Sequence, residues 1–258
     1  MKKYIRLGNI TFSKEFIERM KEFDLLVTRR DKFVKPNVIM LNHGNSNNIA
    51  FGSKVNNFVL LNHPRSIRFC ANKLDTYNAL TEYSPQTYLS KEDVDTFPII
   101  AKRITGYHGY GATVINTPEE LQEFNGRGYL YQKLLNIKYE YRFNVLDGEV
   151  YQVSRRAKRN GEMTDKGGYS FSYKSLGKEA KISDKFWIWV CDVIGKIESE
   201  IGNDLAHYAL DVIKTEDGKY YVCELNSACG LGDYTLTKLL KAIDKKYNNG
   251  DLEKYRVR

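Results

Sequence analysis

Cysteine, proline and tryptophan are scarce, at four, five and two in 258 residues. The thiols Cys70, Cys191, Cys223 and Cys229 form no CxxC pair, which argues against a zinc ribbon or a thioredoxin-type motif and leaves reduced, mostly buried side chains. The prolines do not cluster, and neither an internal repeat nor a low-complexity segment marks a linker. No run approaches the roughly 20 apolar residues that span a bilayer. The first residues, MKKYIRLGNITF, lack both the apolar stretch and the small-residue cleavage site of a signal peptide. A cytoplasmic protein without a membrane partner is expected. Forty Lys and Arg against 32 Asp and Glu give a net charge of +8, which admits a polyanionic partner. No RNP motif, zinc finger or helix-turn-helix pattern points to nucleic acid. A homo-oligomer stays open.

Periodicity reads as mixed α and β. Phe16, Ile17, Met20 and Phe23 fall on one face of a helix over 12–23, with Ser13 as N-cap. Short apolar runs at 25–28, 38–41 and 58–61 read as buried strands, so residues 1–65 form a small α/β unit. A helix is expected from Ala71 to Leu80, then strands at 97–102 and 112–115. Thr117-Pro118-Glu119-Glu120 starts another helix. Strands follow at 129–135, 140–146 and 149–154. Ser183 caps a helix reaching Glu200, strands occupy 208–214 and 220–225, and a helix spans 235–244. The hairpins argue for an α+β architecture. Residues 245–258 read as a polar tail.

Three features carry chemistry. In the final hairpin, Asp217-Gly218 is a preferred two-residue turn. A turn centred there sets Asp211 opposite Glu224, with Asn226 on the same face. Carboxylates opposed in this way, with Cβ atoms about 4.5–5.5 Å apart, repel. Oxygen ligands of this kind suit Mg²⁺, which leaves coordination positions for phosphates. Relief by solvent or a lysine is the alternative. The second feature is a strand ending in Lys102, followed by a glycine-rich loop with Gly106, His108, Gly109 and Gly111. Glycines let backbone N–H groups approach phosphate oxygens, and the lysine adds charge. GxxxxGK[ST] is absent and no helix follows, so this is neither a P-loop nor a Rossmann turn. A plain hairpin tip fits the same residues.

The third feature is the hairpin around Asp147-Gly148, whose expected register sets Glu140 opposite Arg155, with Arg142 on the same face. An acid and two arginines suit a ribose and a phosphate, or a structural ion pair. The stretch 151–185 carries nine Lys and Arg against four acids and reads as a basic loop, either solvated or holding an acidic acceptor. His43 lies in a polar loop suited to the substrate side of a cleft, His63 precedes Pro64 in a turn, and His207 reads as structural.

Taken in this order the segments resemble the ATP-grasp superfamily. The resemblance is carried by NKLDTYNAL (72–80), FPIIAK with its glycine loop (97–111), YLYQKLL through Glu140-Tyr141-Arg142, Arg155-Arg156, and Leu210-Asp211 with Glu224-Leu225-Asn226. It covers roughly residues 60–235 and is nearest to ribosomal-protein glutamate ligases and D-alanine–D-alanine ligases. It implies an ATP-grasp α+β fold behind a short N-terminal unit: residues 1–65, then 66–133 with the glycine-rich loop, then 134–258 with the metal hairpin. It also implies phosphate contacts from Lys73 and Lys102, and a loop over the phosphates at 106–111. Gln132, Lys133, Leu134 and Leu135 resemble the hinge strand that pairs with adenine; relatives often carry glutamate where Gln132 stands. Glu140 resembles the ribose-binding acid, Asp211, Glu224 and Asn226 the Mg²⁺ ligands, and either Arg142 or Arg155 the arginine on the transferring phosphate. The implied activity is ATP- and Mg²⁺-dependent joining of a small-molecule or peptide carboxylate to an amine through an acyl phosphate. A small-molecule kinase and a nucleotide-binding protein without turnover share these features.

Overall fold

The computed structural model describes residues 2–7, 14–28, 37–47, 57–105, 112–163, 169–175 and 182–257. Ser13 and the loop at 106–111 lie outside them. No helix among the described residues is long and apolar enough to cross a membrane.

The first unit is a parallel sheet of β1 (Lys2–Leu7), β2 (Leu25–Thr28), β3 (Val38–His43) and β4 (Phe58–Leu61), with α1 (Lys14–Glu22) between β1 and β2. Strands β3 and β4 are almost continuously apolar and buried, as parallel strands covered on both faces should be. Strand β1 is hidden in the sequence by Lys2, Lys3 and Arg6. Arg6 is nevertheless buried, donating to Asn42 Oδ1 at 3.1 Å and to the Asn45 carbonyl at 3.3 Å.

The helix expected at 71–80 begins earlier and is interrupted. Pro64 opens α2 (Pro64–Ala71) behind a His63 cap. Asn72 then leaves helical geometry and caps α3 (Lys73–Ala79) by accepting from the N–H groups of Leu74 and Asp75.

A four-stranded antiparallel sheet follows, ordered β5 (Thr87–Tyr88), β8 (Tyr129–Lys133), β6 (Ile99–Arg103), β7 (Ala112–Ile115). Helix α4 (Pro118–Glu123) starts where expected, with Thr117 Oγ1 accepting from Glu120 N–H. Ile99, Ala101, Ile115, Leu121 and Tyr131 form its core.

The third sheet is antiparallel, ordered β11 (Tyr169–Ser175), β10 (Glu149–Met163), β9 (Ile137–Leu146), β12 (His207–Thr215), β13 (Tyr220–Asn226). One face packs Phe143, Val145, Leu210 and Val212 onto Phe186, Val190, Val193 and Ile197 of α5 (Asp184–Ile201). The basic stretch is therefore not simply a loop. It holds most of β10 and all of β11, paired in register from Ser154–Ser175 to Lys158–Phe171. The alternation of Tyr169, Phe171 and Tyr173 with small or charged residues is the strand signal that the charge obscured.

The expected polar tail is also structured. Helix α6 (Asp233–Asn248) outlasts its predicted end, a 3₁₀ turn buries Leu252 and Tyr255, and β14 (Arg256–Val257) pairs antiparallel with β4. Lys246 is buried against Asp147 at 2.9 Å, and Asp147 also accepts from Tyr255 Oη at 2.8 Å and pairs with Lys254 at 2.6 Å. These cations and the hydroxyl hold the Asp147 carboxyl below its ordinary range, although burial opposes them.

Asn62 ties the first unit to the third sheet. Its Oδ1 accepts from the N–H groups of Ala206 (3.0 Å) and His207 (2.7 Å), and its Nδ2 donates to the His207 carbonyl at 2.7 Å. The first residue of β12 is thus held by a side chain from the end of β4, four residues before Asp211.

Candidate active site

The face of the third sheet turned away from α5 is polar, with Asp211, Asn144, Gln152 and Ser154 buried and Arg142, Glu224 and Asn226 partly so. Across four strands one row reads Glu224, Asp211, Arg142, Ser154, each residue directly opposite the next. The adjacent row reads Asn226, Ala209, Asn144, Gln152. Asp211 therefore opposes Glu224, as expected, but by a different route. The turn sets Lys214 opposite Tyr220, one residue out of the predicted register, and a bulge at Cys223 restores it.

Repulsion between the two acids is relieved mainly by cations of the chain itself. Arg142 grips Asp211 with a two-pronged bond, Nε to Oδ1 at 2.7 Å and Nη2 to Oδ2 at 2.6 Å. Lys73 Nζ lies 3.3 Å from Glu224 Oε1. Asn226 Nδ2 adds a bond to Asp211 Oδ2 at 3.0 Å. Burial pushes the Asp211 carboxyl above its ordinary range; Arg142 opposes that, and the charges of Glu140 and Glu224 add to it.

The second hairpin corrects an expectation. Glu140 does not oppose Arg155. A bulge at Tyr151 shifts β10 by one residue, so that Arg155 faces Tyr141. Its guanidinium lies 5.0 Å from the Tyr139 ring centre, among aromatics packed toward α5. Arg156 takes the expected place and forms an ion pair with Glu140. Of the two candidate arginines, only Arg142 joins the acids. Tyr151 itself turns to His207, Oη to Nε2 at 3.0 Å.

A narrow cleft of about 30 Å³ lies between this sheet and the four-stranded one, lined by Lys73, Lys102, Leu130, Gln132, Cys223 and Glu224. Burial pushes the Cys223 thiol up to about 11, leaving it un-ionised at neutral pH. At the end of β8, Lys133 N–H donates to the Gln86 carbonyl and Leu134 N–H to the Pro98 carbonyl. Leu135 N–H donates to nothing among the described residues. Gly106, His108, Gly109 and Gly111 lie outside the described residues.

The fit to a hard cation lies in the donor chemistry. No three His, Cys, Asp or Glu side chains among the described residues cluster as a metal cage. Asp211, Glu224 and Asn226 do offer oxygen donors side by side, a set suited to an ion that takes its remaining ligands from phosphates and water.

The sequence reading gave Arg156 no role of its own and missed Asn144 and Gln152. Their signal was a polar side chain at an inward strand position. Asn144 Nδ2 donates to Gln152 Oε1 at 3.1 Å, while Asn144 Oδ1 is buried without a partner among the described residues. Nearby, burial lowers His43 to about 4, and burial together with the charge of His43 lowers His207 to about 3. An unfolded chain binds these protons below pH 6.5, whereas the folded one does not. Stability should therefore fall as pH drops from about 6.5 towards 4, by on the order of 3 kcal/mol from His43 alone. Thermal midpoints measured against pH check this: His43→Gln should show a shallower decline between pH 6.5 and 4 than the parent.

The whole fold is similar to D-alanine–D-alanine ligase from Bacillus anthracis, with a TM-score of 0.65 at 13% identity over 95% of this chain and 93% of that one. It is also similar to an L-amino acid ligase from Bacillus licheniformis, with a TM-score of 0.54 at 13% identity over 91% and 69%. In sequence the chain is 27% identical over 214 residues to the uncharacterized protein MG011 homolog of Mycoplasma pneumoniae, covering 79% of this chain and 70% of that protein. It is 23% identical over 197 residues to beta-citrylglutamate synthase B of Mus musculus, covering 66% of this chain and 47% of that protein. The family model of the ATP-grasp domain, R2K clade family 2, matches residues 86–241, more than half of the chain, and the chain belongs to that family.

Proposed function

We propose that this chain is an ATP- and Mg²⁺-dependent ligase that joins a carboxylate to an amine through an acyl phosphate. The observation that carries the reading is the row Glu224, Asp211, Arg142 beside Asn226, whose Glu224 lines one cleft together with Lys73 and Lys102. A carboxylate is a poor electrophile because its leaving group would be oxide. A carboxylate oxygen attacks the γ-phosphorus and ADP departs. The amine nitrogen then adds to the carbonyl carbon, phosphate leaves with the C–O electron pair, and the nitrogen loses a proton. The protein positions charge for both steps.

Lys73 and Lys102 hold the phosphate oxygens. Arg142, fixed in direction by Asp211, presents its remaining N–H groups to the transferring group. Gln132 and the Leu135 N–H meet the base, and Glu140, steadied by Arg156, meets the ribose. Asp211, Glu224 and Asn226 would hold Mg²⁺, which when bound supplies charge neutralisation at the β- and γ-phosphates. The four free thiols suit a reducing compartment such as the cytoplasm.

Incubation with ATP, Mg²⁺ and pooled amino acids and peptides tests the reading. ADP, phosphate and an amide product are expected. ADP with a stable phosphorylated product would instead identify a kinase. No ADP with any pool would leave a nucleotide-binding protein without turnover.

A further inference from the structure

We infer that Thr87 sets the base preference of the cleft by fixing which end of the Gln132 amide faces the nucleotide, an inference that rests on the nucleotide-binding reading above. Thr87 lies on the edge strand β5, in register with Gln132 on β8. Its hydroxyl has a single proton, donated to the Pro85 carbonyl at 2.8 Å. Only lone pairs remain on Oγ1, so it accepts from Gln132 Nε2, also at 2.8 Å. The planar amide is thereby oriented. Nε2 is committed to Thr87, and Oε1 turns the other way on a side chain that lines the cleft. Oε1 accepts no hydrogen bond among the described residues, and Gln132 is only 8% exposed.

Oε1 is therefore an open acceptor on a side chain that lines the cleft, available to a donor placed there. Three residues on, Leu135 offers the complementary group, an N–H with no partner among the described residues. An acceptor from Gln132 together with a donor from Leu135 matches adenine, whose N6 amino group donates and whose N1 accepts. Guanine presents the reverse, a carbonyl at O6 and an N–H at N1, and would set lone pair against lone pair and hydrogen against hydrogen. Thr87 itself touches no nucleotide in this arrangement and acts as a positioning residue. Without its hydroxyl the amide is free to rotate by half a turn and present either end.

The test compares equilibrium binding of ATP and GTP to the full chain at fixed Mg²⁺, with thermal midpoints as a control for folding. The parent should bind ATP about 10–100-fold more tightly than GTP. Thr87→Ser should retain that ratio, and Thr87→Val should bring it to within about threefold. Gln132→Glu added to Thr87→Val should restore the preference for ATP, because a carboxylate presents an acceptor whichever way it rotates. Thr87→Ala is carried alongside in case the valine variant does not fold. An unchanged ATP-to-GTP ratio in the Thr87→Val and Thr87→Ala variants would overturn the inference, and so would a parent that binds both nucleotides equally. Failure of the underlying reading looks different, since such a parent binds neither nucleotide.

Discussion

Arg142→Met is expected to destabilise the protein by about 3–5 kcal/mol, because it leaves a buried carboxylate without its partner. The Asp211 residue is 3% exposed and its two oxygens take two bonds from Arg142. Methionine fills similar volume but supplies neither charge nor donor. Asp211 would then sit beside Glu140 and Glu224 without the guanidinium, and would take up a proton. A carboxyl with a raised folded-state pKa holds its proton where the unfolded chain has released it. The variant should therefore lose stability as pH rises through the carboxylate range. Arg142→Met combined with Asp211→Asn should recover most of the lost stability without recovering turnover, since no buried charge is stranded. Urea unfolding of the single and double variants at two pH values measures all of this. A double variant no more stable than Arg142→Met would show that the ion pair is not what the fold depends on.

Glu224→Gln should reduce turnover by at least about 10²–10³-fold, the range seen when one preorganised charge or donor is removed from a reacting centre. The amide keeps the shape of the side chain but removes an anionic ligand. It also releases Lys73, whose Nζ lies 3.3 Å from Glu224 Oε1. Relief of repulsion with Asp211 offsets the lost contact, so the thermal midpoint should stay within a few degrees of the parent. Steady-state ADP release, measured beside a melting curve, separates the two effects. Full activity in Glu224→Gln would remove Glu224 from the metal-binding set.

The sequence carried the strands and helices that bury a contiguous apolar face, such as β3, β4 and α5. It carried less of what tertiary contacts decide. Asp211 and Glu224 were placed opposite each other correctly because two irregularities cancel, a one-residue shift at the turn and a bulge at Cys223. The bulge at Tyr151 has no such compensation, and the expected Glu140–Arg155 pairing became Glu140–Arg156. No local rule announces that bulge. Its evident partner is His207, 56 residues later, where the Tyr151 hydroxyl meets Nε2. Arg6 in β1 and Lys246 in α6 were obscured for the opposite reason. A charged residue suggests solvent, yet each is buried among carbonyls, amides or carboxylates that lie far away in sequence. The polar inward residues Asn144 and Gln152 break the apolar alternation expected of a buried strand face and sit in the row beside Arg142 and Ser154.

Strand β14 closes the sheet that β1 to β4 begin, with Arg256 beside Val59. During synthesis the outer edge of β4 must therefore wait, open to the surroundings, until nearly two hundred further residues have been translated. An unpaired apolar strand edge is an invitation to neighbouring chains. Nascent copies on one polysome would be the first such neighbours, which makes the early unit the part of this protein with the greatest reason to engage a chaperone.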